Sequence, residues 1–167
     1  MITGFGVNNG SGWGVLGPSG IRYNGTRIGS LCNDTLYIAD GVDNTIVAIS
    51  KASNLLTTGE IQVKPGGKTF KCKQKRFTCA TLVYSGSPLN APVALALLPN
   101  GNLVAANTQG GNRLVEISAS GKLLATKSVD KSSIAHVFGL LAIGSNDGNT
   151  VLFYTDTKDN SVHELEP

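Results

Sequence analysis

Apolar and polar residues alternate along this chain in short runs broken by turn-forming clusters. From Asp34 to Ser50 the sequence reads DTLYIAD, GVDN, TIVAIS. Alternation with period two predicts a strand on either side of a tight turn. The pattern returns from Asn102 to Ser118 as NLVAAN, TQGGN, RLVEIS, and from Thr150 to Leu165 as TVLFYTD, TKDN, SVHEL. Leu36, Leu103 and Leu152 hold equivalent places, as do Asp40, Asn107 and Asp156 at the end of each first strand. Asn44, Asn112 and Asn160 close the turns, and Ile46, Leu114 and Val162 open the return strands.

The turn asparagines are 68 and 48 residues apart. With about twenty residues of insertion removed from the first interval, the period falls near the 40–50 residues of a propeller blade. Each hairpin has a small-residue apolar run before it: GPSGIRY (Gly17–Tyr23), APVALALL (Ala91–Leu98) and VFGLLAI (Val137–Ile143). Glycine and alanine suit an innermost strand, where neighbouring backbones converge on an axis. Inner strands are therefore expected at Gly20–Tyr23, Val93–Leu98 and Phe138–Ile143. Weakly alternating outer strands are expected at Thr81–Ser85 and Lys122–Lys127. The predicted fold is all-β: three propeller-like blades of about four antiparallel strands, half of a six-bladed ring. The blades span about 17–85, 91–128 and 136–167, with a basic insert at 60–80 and residues 1–6 as a closing outer strand. The predicted core is Ile21, Leu36, Ile38, Ile46, Ile49, Leu95, Leu97, Leu103, Leu114, Ile117, Phe138, Leu140, Leu152, Phe153 and Val162.

Composition sharpens this picture. The 167 residues suffice for one domain with a real core, and 21 glycines fit many turns. No apolar run is long enough for a membrane span. Met1–Gly6 has neither the basic nor the apolar region of a secretory signal. The net charge of +3 is localised: Lys64, Lys68, Lys71, Lys73, Lys75 and Arg76 crowd the insert beside one acid, Glu60, leaving eight basic and ten acidic residues elsewhere.

GPSGIRY, followed by DTLYIAD, an Asn-closed turn and TIVAIS, resembles the NHL-repeat family of β-propellers. The resemblance covers most of the chain outside the insert. The family includes ligand-binding modules, protein and RNA interaction platforms, and a few lyases and lactonase relatives. Its members usually carry five or six blades, whereas this chain carries three. A repeat encodes a blade rather than a site. Because repeats dominate and no catalytic set assembles, a non-enzymatic ligand- or protein-binding or scaffold module is expected, and the resemblance implies an extracellular or periplasmic setting. The alternative is a metal-assisted lyase or lactonase-like enzyme with its site in the axial channel.

The recurrent polar positions Asp40, Asp43, Asn44, Asn107, Asp156, Asp159 and Asn160 could gather oxygen ligands for Ca²⁺. Their recurrence in every blade favours local backbone bonding at turns instead. No resident cofactor is expected, with a divalent metal in the channel left open. His136, just before the third inner strand, is expected near the channel mouth as a ligand-binding residue. His163 is expected to face solvent or a neighbouring blade. No second histidine or cysteine partner completes a catalytic set around His136. Trp13, in a glycine-rich stretch, is either a stacking platform for a ligand or a plug against the core.

The insert, KPGGKTFKCKQKRFTC from Lys64, interleaves its cations with Phe70 and Phe77. It reads as a solvated hairpin projecting from the first blade, with binding of an anionic partner as the sharper alternative. Cys72 and Cys79 can face each other across a hairpin. A disulfide there needs Cα atoms within about 7 Å and an oxidising compartment. Otherwise they are free thiols, as Cys32 is expected to be. Three blades leave unburied faces, which favours self-association. Met1–Phe5 could complete the third blade of a second copy in a head-to-tail, six-bladed dimer. The chain could equally be a fragment of a longer propeller.

Overall fold

The computed structural model describes residues 1–8, 17–28, 31–55, 60–76, 78–145 and 149–165, without the side chains of 26–28 and 31–33. Trp13 and Phe77 lie outside the described residues, as does the Cys32 side chain. Among the described residues, fourteen strands form in chain order. The first seven are β1 (Ile2–Thr3), β2 (Pro18–Ile28), β3 (Leu31–Asp40), β4 (Thr45–Ser50), β5 (Ile61–Val63), β6 (Phe70–Cys72) and β7 (Cys79–Ser85). Then follow β8 (Pro92–Leu97), β9 (Leu103–Asn107), β10 (Arg113–Ile117), β11 (Leu123–Ser128), β12 (Val137–Ile143), β13 (Val151–Asp156) and β14 (Ser161–Leu165). Among the described residues, helix is limited to a 3₁₀ turn at Ala52–Asn54.

Three sheets are blades. Their strand orders are β2-β3-β4-β7, β8-β9-β10-β11 and β12-β13-β14. All their ladders are antiparallel. The inner strands lie side by side, with β8 between β2 and β12. Close packing explains the small residues there. A Cβ on Gly20 would stand 2.9 Å from the backbone of Ala94 and Leu95. The Arg22 guanidinium reaches across to the Leu140 carbonyl of the third blade.

Period-two alternation divides the second blade between two neighbours. Tyr37, Ala39 and Ile46 of the first blade meet Leu95, Leu103, Ala105, Val115 and Ile117 of the second. The second blade's other side, with Ala94, Val104, Ala106 and Leu114, meets Val137, Leu140, Leu152 and Tyr154 of the third. Each fully buried Ile, Leu or Val contributes about 1.5–3 kcal/mol by leaving water.

The insert is a cap, not a solvated projection. β5 and β6 form an antiparallel hairpin, and β1 joins β5 in parallel, Ile2 opposite Ile61 and Thr3 opposite Gln62. Ile61 and Val63 are buried. Ile61 joins Ile38, Val47, Ile49 and Ala80 on the first blade's outward face, flanked by Ile2, Phe5 and Phe70. Alternation explains this: Ile61 and Val63 point inward while Gln62 points out. Met1–Phe5 therefore contributes its strand to this cap. It pairs with β5 rather than standing as a strand without a sheet.

The third blade's outward face has no such cover among the described residues. Leu141, Ile143, Phe153 and Val162 line an open groove of about 480 Å³ there. Three expected core residues prove exposed: Ile21 at 57%, Phe138 at 49% and Val162 at 66%. Ile21 pairs with Ile38 on the outward face of the first blade, on the inner strand that the cap leaves uncovered. Val162 pairs with Thr155 on the groove side of the third blade. Phe138 falls at a register shift between Val137 and Leu140, which turns it out of the ladder.

Candidate functional site: the hairpin-turn end

The hairpin turns and the starts of the inner strands gather at one end of the blades. One backbone bond repeats in all three. The N–H of Gly41, Thr108 and Thr157 donates to the carbonyl of Gly17, Ala91 and His136, at 3.1, 3.0 and 3.0 Å. Each acceptor directly precedes an inner strand. The strand-ending residues also act locally. Asp40 Oδ1 accepts from the Val42 N–H at 3.0 Å, and Asp156 Oδ1 from the Lys158 N–H at 2.8 Å. Asn107 reaches further back, accepting from the Asn90 N–H at 3.0 Å and donating to the Pro88 carbonyl at 2.8 Å.

The turn asparagines join one blade to the next. Asn44 Oδ1 accepts the Ala91 N–H at 2.6 Å, just ahead of the second inner strand. Asn112 Oδ1 accepts the His136 N–H at 2.7 Å, just ahead of the third. Its Nδ2 donates to Asp130 Oδ1 and to the Ile134 carbonyl, both at 2.9 Å. Asn44 and Asn160 sit at φ 51° and 57°, the left-handed region that asparagine tolerates. At the Asn112 turn, Gly110 and Gly111 take the positive φ values instead.

Between the first and second blades this end opens into a cleft of about 340 Å³. Asn8, Asn44, Asn90 and Gln109 are among the residues lining it, with Gly41 and Ala91. Among the described residues, no ionisable side chain lines it. Carboxamides offer both donors and acceptors without charge, so this wall suits hydroxyl or amide groups rather than acid–base chemistry.

Between the second and third blades the turn end is charged. His136 is half-buried, its Nε2 3.0 Å from Ser132 Oγ. It lies apart from the carboxamide cleft and belongs to the latch made by Asn112. Burial pushes the Asp130 carboxyl up. Bonds from Asn112 and the Ser132 N–H, with the positive charges of Lys158 and His136, outweigh this and hold it below the usual carboxylate range. On the adjoining turn, Asp156, Asp159 and His163 bring ligand atoms within 4.8 Å of one another. His163 Nε2 is 3.0 Å from Asp159 Oδ2 and 2.6 Å from Ser161 Oγ. Its ring stacks on Tyr154, centroids 5.0 Å apart at 17°. Bonding from Ser161, then from His163 and its charge, holds Asp159 low despite some desolvation. Burial, followed by Asp156, Asp130 and Asp159, raises the Tyr154 hydroxyl.

His163 therefore packs against its own blade, on the Tyr154 side, with its side chain still 39% exposed. The two aspartates and one imidazole could act as three ligands of a transition-type divalent ion, with too few oxygens for a calcium cage. The sequence reading treated Asp156 and Asp159 as turn formers and His163 as an unrelated strand residue. The available signal was the hairpin register, which sets His163 opposite Tyr154 and Ser161 opposite Asp156.

The remaining expected site residues lie in the cap. Lys68, Lys71, Lys73, Lys75 and Arg76 are exposed, and Lys64 is half-buried. Cys72 and Cys79 are disulfide-bonded, with Cα atoms 5.4 Å apart, tying β6 to the first blade's outer strand β7.

No family model matches the chain, and no curated protein matches it. Among solved structures, the fold is similar to an X-ray structure described as a "putative gluconolactonase in protein family", with a TM-score of 0.50 and 15% identity. The likeness covers 90% of this chain and 38% of that one, so this chain spans well under half the neighbour's length. At that identity the likeness concerns fold alone. With the sheet order, it establishes an all-β, β-propeller-like architecture.

Proposed function

We propose that the chain is a non-enzymatic binding module of NHL-type propeller kind, taking an uncharged, hydrogen-bonding ligand at the turn end. The carboxamide-lined cleft between the first and second blades carries this reading. Saccharide hydroxyls or a peptide backbone match its donors and acceptors. A thermal-shift screen of neutral oligosaccharides and peptides tests it. A ligand should raise the wild-type melting temperature and lose that effect in an Asn90→Ala, Gln109→Ala double variant. Ligands that stabilise both proteins equally would place binding elsewhere and overturn the reading.

A second reading, a metal-assisted lactonase-like enzyme, draws support from the Asp156–Asp159–His163 cluster and from the description of the structural neighbour. The sequence-based version of this reading centred on His136. The cluster moves the stronger candidate to His163. Metal analysis of the purified protein separates the two readings. Stoichiometric metal lost in His163→Ala, with lactone hydrolysis lost alongside, would reverse the ranking. Loss in His136→Ala alone would restore the axial centre.

A further inference from the structure

We propose that the outer side of the β1-β5-β6 cap docks a sulfated or similarly anionic polysaccharide. This surface is separate from the turn-end cleft, and the argument does not depend on that site. Register lines up Thr3, Gln62 and Lys71 across the three strands. Lys73 opens the turn after β6, its N–H donating to the Glu60 carbonyl at 2.6 Å, and lines the same depression as Lys71. Lys64 Nζ bonds Gln62 Oε1 at 3.0 Å, which brings a third ammonium to the row. Thr3, Gln62, Lys71 and Lys73 line a depression of about 370 Å³. Lys68, Lys75 and Arg76 extend the positive surface through the turns at its ends.

The cations are held on a scaffold rather than a floppy loop. Ile61 and Val63 anchor the underside in the core, and the Cys72–Cys79 bond fixes one end to the first blade. Ordering these side chains on a fixed sheet lowers the entropy lost on binding. The rest of the chain is slightly acidic, so the cap is one positive pole, which concentrates and orients a polyanion there. The Cys72–Cys79 bond suits an oxidising compartment rather than the cytosol or nucleus, which favours a polysaccharide over nucleic acid as the polyanion. Phe5 and Phe70, the described aromatics of the cap, pack toward the core rather than presenting a stacking face for bases.

Heparin serves as the probe, measured by calorimetry at 50 and 200 mM NaCl. Wild-type affinity should fall roughly 10- to 100-fold between these conditions, as expected when about three or four cations release counterions. Lys71→Glu with Lys73→Glu should weaken binding about 10-fold or more at the lower salt. Lys122→Glu with Lys127→Glu makes the same change in net charge on the exposed outer strand of the second blade. It should alter affinity less than about two-fold. Matching melting curves would show that both variants fold. Absence of heparin binding, equal loss in both pairs, or tighter binding to single-stranded DNA of matched length would overturn the proposal.

Discussion

Asn112 and Asn160 occupy the same place in successive hairpins and have different worth. Asn112 is 1% exposed and bonds Asp130, Ile134 and His136. Asn160 is exposed in the hairpin of the third blade, with no later blade among the described residues to join. Asn112→Ala should cost about 2–4 kcal/mol, because buried backbone groups lose their partner. Asn160→Ala should stay within about 0.5 kcal/mol in the same chemical-denaturation experiment. Asp40 offers a test of opposite sign. Burial, followed by repulsion from Asp43, raises its pKa despite the Val42 and Asp43 N–H groups. Its Oδ2 has no hydrogen-bond partner among the described residues. A raised native pKa means that its stabilising contribution is full below the unfolded value of 3.8 and is lost as pH climbs through the native value. Asp40→Asn keeps the acceptor for Val42 and matches Asn107 in the next blade. It should raise stability at pH 7 by about 1 kcal/mol, with the gain vanishing below pH ~4. A variant less stable at neutral pH would show that the charge is wanted there. The equivalence of these positions was readable in the sequence. Their partners were not, because Ala91 and His136 lie a whole strand pair downstream and become neighbours only when blades stack.

At the scale of elements, the cap is where charge concealed pattern. Ile61-Gln62-Val63 and Phe70-Lys71-Cys72 both alternate, yet six nearby cations dominated the reading and suggested solvent. Strand β1 was read as an outer strand, and it is a strand, but its partner lies nearly sixty residues away in sequence. Alternation likewise located the core strands without telling which face would find a neighbour. Ile38 and Ile46 are covered, whereas Ile21 and Val162 are not. If the cap is structural, Ile61→Ala should destabilise by about 2–4 kcal/mol. Replacing both Cys72 and Cys79 by serine opens an eight-residue loop. By loop-closure entropy that should cost about 2 kcal/mol, read as a lower denaturation midpoint.

The molecule as a whole is closed on one side and open on the other. The first blade is covered by the cap, while the third presents Leu141, Ile143, Phe153 and Val162. An apolar face of this kind should bind an environment-sensitive dye such as ANS in the native state. Ile143→Lys should reduce that fluorescence without lowering the melting temperature. Repeat spacing was enough to anticipate three blades. The difference between the two terminal faces depends on how an insert folds back, which spacing does not encode. The central claim, that the basic insert is a folded cap on the first blade, is tested most directly by native-state amide hydrogen exchange. Amides of Ile61, Val63 and Cys72 should be protected to a degree comparable with β3 and β4. Exchange across 60–76 at the rate of unstructured chain, with the blades still protected, would contradict it.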